Sequence, residues 1–186
     1  LKYASRYRKK VLLTSTSEVY GKNKEVPFRE DTDRVEGPTS SHRWAYACAK
    51  SLDEFLALAH AKTSGLPVII VRLFNTVGPR QSSAYGMVIP NLIEAALTNK
   101  NLSIYGDGNQ TRCFCHVNDV IEALSGLMRK KDCEGEVFNV GSEEEISINE
   151  LGKRILNTTK SQSKIDLIPY EQIYLSLIHI SEPTRP

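Results

Sequence analysis

The stretch "LPVIIVRLFNTVGP", residues 66–79, decides the fold class. Val68 to Val71 is an unbroken β-branched run, the signature of a strand buried on both faces of a parallel sheet. The run ends at Asn75 and a Gly78-Pro79 break. Upstream, "KVLLTST" (10–16) is a second apolar run, and it finishes in hydroxyls. Between the two, Ala45, Cys48, Leu52, Phe55 or Leu56, and Ala59 recur at i, i+3, i+4 spacing. That spacing predicts a helix over Trp44–Lys62 with these residues as its apolar face. Ser40 or Ser41 can cap its start, and Gly65 can stop it. Strand, helix, strand makes a right-handed βαβ unit, so an α/β fold with a parallel sheet is expected.

Outside this unit the pattern continues. Residues 22–43 carry charge and turn residues and read as a long surface loop, a kind that is often functional. A helix is expected over about Val88 to Thr98. "LSIYGDGNQTRCFCHV" (102–117) reads as two short strands around an Asp107-Gly108 hairpin turn. Asn118 or Asp119 then caps a helix through Met128, and "GEVFNVGS" (135–142) is a further strand. Ser147 and Glu150 form a capping box for a helix through about Asn157.

Composition narrows the function classes. The chain has 186 residues, 40% hydrophobic and 25% charged, and a net charge of +2. Such a balance gives no strong pull toward nucleic acid or an anionic membrane, and neither is expected as a partner. The cluster Arg6, Arg8, Lys9, Lys10 reads as a solvated segment before a strand. No apolar run is long enough to span a bilayer. "CFCH" (113–116) lacks a second ligand pair at zinc spacing, so Cys113 and Cys115 read as packed, reduced thiols on one strand face, with no metal. Reduced cysteines suit a cytoplasmic setting.

In open α/β sheets the reactive groups gather beyond the carboxyl ends of the strands. Strand one brings Thr16, Ser17 and Glu18 there, and strand two brings Asn75. The intervening helix carries Tyr46 and Lys50 at i, i+4, on one face. A free tyrosine has a pKa near ~10, and a neighbouring ammonium favours its phenolate. A tyrosine so placed can take a proton from a sugar hydroxyl and later return it. Thr16 offers a hydroxyl to the same oxygen, and Glu18 offers a carboxylate.

The motifs "STSEVYG" (15–21), "GPTSSHRWAYACAK" (37–50), "RLFNTVGPR" (72–80), "YGDGNQTRCFCHVNDV" (105–120) and "FNVGS" (138–142) occur in this order. Together they resemble the extended short-chain dehydrogenase/reductase family that modifies nucleotide sugars. The resemblance implies a tightly bound NAD, the C-terminal part of a Rossmann-type parallel sheet, part of a small domain that grips the nucleotide sugar, and a homodimer. It implies that Tyr46 is the acid/base and that Lys50 also holds the nicotinamide ribose. It implies that Thr16 and Ser17 meet the sugar and that Glu18 serves the second chemical step. Asn75 is similar to the asparagine near the sugar phosphates, and Arg112 to the arginine that pairs with the pyrophosphate. Met87, Val88 and Pro90 are similar to the segment lining the base pocket.

Thr16-Ser17-Glu18, with "RW" before the helix and "QTRCF" later, looks most like the UDP-glucuronate decarboxylases of this family. A UDP-glucose 4-epimerase and a 4,6-dehydratase are the alternatives. Outside the enzymes stands a non-catalytic Rossmann-fold binding protein, which usually lacks the tyrosine or the lysine. The family's Gly-rich dinucleotide loop and the acidic residue that reads the adenosine ribose do not occur in the 186 residues. Residues 1–80 are therefore expected to be the C-terminal half of the NAD-binding domain. Residues 81–174 are expected to be mostly nucleotide-sugar-binding, with interleaved Rossmann elements. "LSLIHISEPTRP" (175–186) resembles a translated sequencing adapter, and a fragment that neither binds NAD stably nor turns over is the expectation.

Overall fold

The computed structural model describes residues 1–83 and 87–169. The segment 175–186, read above as an adapter translation, lies outside the described residues. The elements run α1 (Lys2–Arg6), β1 (Val11–Thr16), a 3-10 turn (Ser17–Tyr20), α2 (Trp44–Ser64), β2 (Val68–Leu73), β3 (Thr76–Val77) and α3 (Val88–Leu97). They continue with β4 (Leu102–Tyr105), β5 (Thr111–Cys113), β6 (Cys115–His116), α4 (Val117–Arg129), β7 (Val137–Val140), β8 (Glu145–Ser147), α5 (Ile148–Thr159) and β9 (Ile165–Ile168). The described residues form two compact units: those of 1–76 with 115–142, and those of 77–114 with 143–169.

The first unit is built on a parallel sheet in the order β1-β2-β7. Val11 to Thr16 pair with Val68 to Leu73, and Ile70 to Leu73 pair in turn with Val137 to Val140. This is the C-terminal part of a Rossmann-type sheet, as the apolar run 68–71 foretold. Alternation sorts the two faces. Val68 and Ile70 pack with Ala57, Leu58 and Ala61 of α2, whereas Ile69 and Val71 pack with Leu124 and Leu127 of α4.

Helix α2 forms as expected and Gly65 ends it in the left-handed conformation. Its buried face, however, differs from the expected one. Trp44, Ala47, Ser51, Glu54 and Ala57 are buried, while Cys48, Leu52, Phe55, Leu56 and Ala59 face outward. The face is turned because Glu54 meets Arg72 of β2, so a charged pair occupies a place that apolar spacing alone would give to a leucine. Arg43 is the N-terminal cap and makes no side-chain cap bond, so neither Ser40 nor Ser41 serves. The carbonyl of Ser41 accepts the Trp44 N–H instead.

The second unit packs α3 and α5 with two small two-stranded sheets. Leu92, Ala96, Leu102, Ile104, Ile148, Leu151 and Ile155 make its core. The strands on either side of Asp107-Gly108 both form but do not pair as a hairpin. β4 pairs in parallel with β9, and β5 pairs antiparallel with β8. The Asp107-Gly108 turn sits on the start of α5, where Gly108 accepts the Asn149 N–H. Ser147 caps that helix by accepting the Glu150 N–H at 3.1 Å, as its sequence foretold.

Helix α4 is capped by His116, whose Nδ1 accepts the Asn118 N–H, rather than by Asn118 or Asp119. A histidine lone pair does here what a carboxamide or carboxylate commonly does. Cys113 and Cys115 belong to separate short strands, β5 and β6, and so do not share one strand face. Both thiols are pushed up in pKa, by burial first and then by the nearby carboxylates of Glu145 and Asp119 respectively. Among the described residues no helix is long and apolar enough to cross a membrane.

Candidate active site

The first unit gathers six of the expected site residues at the carboxyl ends of its strands. β1 ends at Thr16, and the chain turns at once into the 3-10 turn that holds Ser17 and Glu18. Thr16 caps this turn: its Oγ1 accepts the Glu18 N–H at 3.3 Å. That leaves the threonine O–H to donate to a ligand. The turn closes at Gly21, where a Cβ would stand 2.0 Å from the Val35 carbonyl oxygen. Only glycine permits this approach. Asn75 is exposed just past the end of β2, and its carbonyl accepts the Cys115 N–H.

Tyr46 and Lys50 lie in the first two turns of α2, which packs against β1 and the 3-10 turn. Lys50 Nζ donates to the Thr14 carbonyl at 2.9 Å, so its ammonium is fixed beside the strand that ends in Thr16. Asp53 lies 4.0 Å from the same nitrogen. Tyr46 is 50% exposed.

The remaining expected residues belong to the second unit. Met87 is the N-terminal cap of α3, and Val88 and Pro90 lie in its first turn. Proline is tolerated there because the first-turn N–H groups have no helical partner. Arg112 sits on β5 opposite Ile146, and its Nη1 donates to the Thr111 carbonyl.

A buried polar network was not foreseen. Arg72 donates from Nε and Nη2 to the Glu54 carboxylate, at 2.8 Å for the shortest contact, and from Nη1 to the Tyr20 hydroxyl at 2.9 Å. Tyr20 donates onward to Asn139 Oδ1 at 2.7 Å. Burial opposes the Arg72 charge, yet the hydrogen bonds to Glu54 and Tyr20 and the Glu54 carboxylate outweigh it and hold the pKa above the usual arginine value. One signal was available in the sequence: an arginine at a core-facing position inside "VIIVRLF" needs a buried acid opposite it.

A model of the NAD dependent epimerase/dehydratase family matches residues 1–141. This chain belongs to that family. The family is NAD-dependent, and its members are enzymes. A UDP-N-acetyl-alpha-D-glucosaminuronate decarboxylase of Bacillus cytotoxicus is 50% identical over 175 residues, 94% of this chain and 54% of the relative. Among solved structures, a UDP-glucuronic acid 4-epimerase of Bacillus cereus in complex with NAD aligns with a TM-score of 0.79 at 29% identity, over 90% of this chain and 53% of that one. A dTDP-glucose 4,6-dehydratase of Bacillus anthracis, also in complex with NAD, aligns with a TM-score of 0.78 at 28% identity, over 98% and 60%. The chain spans about half the length of the relatives it matches.

Proposed function

We propose that the protein is an NAD-dependent decarboxylase of a UDP-linked hexuronate, with UDP-glucuronate or its 2-acetamido counterpart as substrate. The observation that carries this reading is the 50% identity to a UDP-N-acetylglucosaminuronate decarboxylase, together with Thr16-Ser17-Glu18 at the end of β1. The residues present fit the nicotinamide end of the cofactor. A lysine ammonium is anchored at a strand end, one helical turn from a half-exposed tyrosine. NAD, when bound, would accept hydride from C4 of the sugar and give it back.

The chain's own residues do the proton work. Tyr46, as phenolate, takes the proton of the 4-hydroxyl, and the Lys50 ammonium beside it stabilises that phenolate. The Thr16 O–H donates to the same sugar oxygen. A ketone at C4 is β to the uronate carboxylate, so the C5–C6 bond breaks and its electron pair passes into an enolate. Carbon dioxide leaves. Glu18 serves the protonation of C5, and Tyr46 returns its proton as the 4-hydroxyl is restored. Asn75, Arg112, Met87, Val88 and Pro90 bind the nucleotide diphosphate, Arg112 through the fork geometry that suits a pyrophosphate. The outward apolar face of α2, with Leu52, Phe55 and Leu56, supports a homodimer.

The test incubates the protein translated from the complete reading frame with UDP-glucuronate, UDP-N-acetylglucosaminuronate, UDP-glucose and dTDP-glucose. Carbon dioxide and a UDP-pentose from a uronate are expected. A 4-epimer without gas release would replace the reading with epimerisation, and a 4-keto-6-deoxy sugar would replace it with dehydration.

A further inference from the structure

The proton chemistry above makes no use of the most deeply buried charge in the first unit. The Arg72 and Glu54 side chains are 7% and 6% exposed. Their network lies beside the first-unit segments that carry the proton chemistry. Tyr20 stands two residues after Glu18, Glu54 one helical turn after Lys50, and Arg72 three residues before Asn75. Asn139 on β7 joins Tyr20 to the long loop: its Nδ2 donates to the Phe28 carbonyl at 3.0 Å, and its N–H donates to Glu30 Oε1 at 2.8 Å. Arg72 Nη1 also donates to the Glu30 carbonyl at 3.0 Å. Phe28 stacks on the Tyr20 ring, centroids 4.6 Å apart and planes 5° from parallel. The Tyr20 hydroxyl is the hub, because it accepts from Arg72 and donates to Asn139.

We propose that Tyr20, Arg72, Glu54 and Asn139 are positioning residues, joined in one buried network that fixes the Glu18 turn, the Tyr46–Lys50 helix and the loop 22–43 as a single cooperative unit. The functional half of this inference rests on the active-site reading above. Buried polar networks gain when complete and lose heavily when one member is removed. Tyr20→Phe keeps the ring volume and the stack on Phe28, and it removes only the hub oxygen. Asn139 Oδ1 then has no donor from Tyr20, and one Arg72 bond is lost inside the protein.

The experiment compares the wild-type protein from the complete reading frame with Tyr20→Phe, and with Asn139→Ala as a second cut at the far end of the network. Amide hydrogen exchange is followed in peptides covering 17–21, 28–31 and 44–51, with 102–105 in the second unit as the control. Exchange should rise roughly tenfold or more in all three segments together while the control is unchanged. Turnover should fall roughly tenfold to hundredfold with KM within about twofold of wild type, because misplaced catalytic groups lose rate rather than binding. Faster exchange confined to 28–31, or wild-type turnover in Tyr20→Phe, would overturn the proposal. Should the wild type turn over no nucleotide sugar, the active-site reading fails, and the joint response of the three segments decides the network by itself.

Discussion

The two units hold their functional residues by different means. In the first, the strand ends that carry Thr16, Glu18 and Asn75 surround a buried arginine and glutamate, bridged by a tyrosine and an asparagine. In the second, Met87, Val88, Pro90 and Arg112 ride on elements packed over leucines and isoleucines. Apolar cores accept side chains of about the right size and shape. A buried charge pair accepts only its partner in the right place. Geometry is therefore most demanding in the unit proposed to carry the proton chemistry.

Substitutions put that contrast to the test. The largest effect is expected from Tyr46→Phe, which removes the proposed acid/base while keeping its ring. Turnover of the complete protein should fall by about 10²–10⁴-fold with folding intact. Retention of near-normal turnover would remove Tyr46 from the mechanism. Glu54→Gln should follow, since it leaves the Arg72 charge buried and uncompensated. Urea unfolding of the first unit should show a loss of about 3–5 kcal/mol. In the second unit Ile104→Val trims one buried methylene, and the same measurement should show a loss of only about 0.5–1.5 kcal/mol. If the two conservative changes cost the same, the contrast between the units is wrong.

The smallest effect belongs to Lys10 and Glu134, an ion pair at 2.6 Å on the surface of the first unit. Hydrogen bonding from Lys10 leads in holding the Glu134 carboxyl below its ordinary pKa of 4.5. A carboxyl depressed on folding stabilises above its unfolded pKa and loses that contribution as pH falls through the folded value. Lys10→Met should therefore lower the melting temperature slightly at neutral pH, and the gap to wild type should close in acid below the ordinary carboxylate range.

Much of this was legible in the sequence, and for physical reasons. The strands 11–16 and 68–73 were readable because a parallel strand must be apolar on both faces. The placement of Thr16 and Asn75 at strand ends, and of Tyr46 and Lys50 on one helix, was readable for the same reason. The buried face of α2 was not readable. Its apolar spacing pointed to Leu52 and Phe55, and a tertiary contact between Glu54 and Arg72 turned the helix the other way. The hairpin expected at Asp107-Gly108 failed for a similar reason. Both flanking strands found better partners at 145–147 and 165–168, far along the chain. Local pattern specifies that an element forms, whereas pairing and facing depend on residues that lie distant in sequence.

The proposed reaction removes hydride from C4 of a UDP-linked uronate, releases carbon dioxide and restores the hydride to the same carbon. Its most direct test supplies the protein from the complete reading frame with the uronate carrying deuterium at C4, in ordinary water. Carbon dioxide and a UDP-pentose that retains deuterium at C4 are expected. A product that keeps its carboxylate, or a pentose whose C4 deuterium has washed out to solvent, would contradict it.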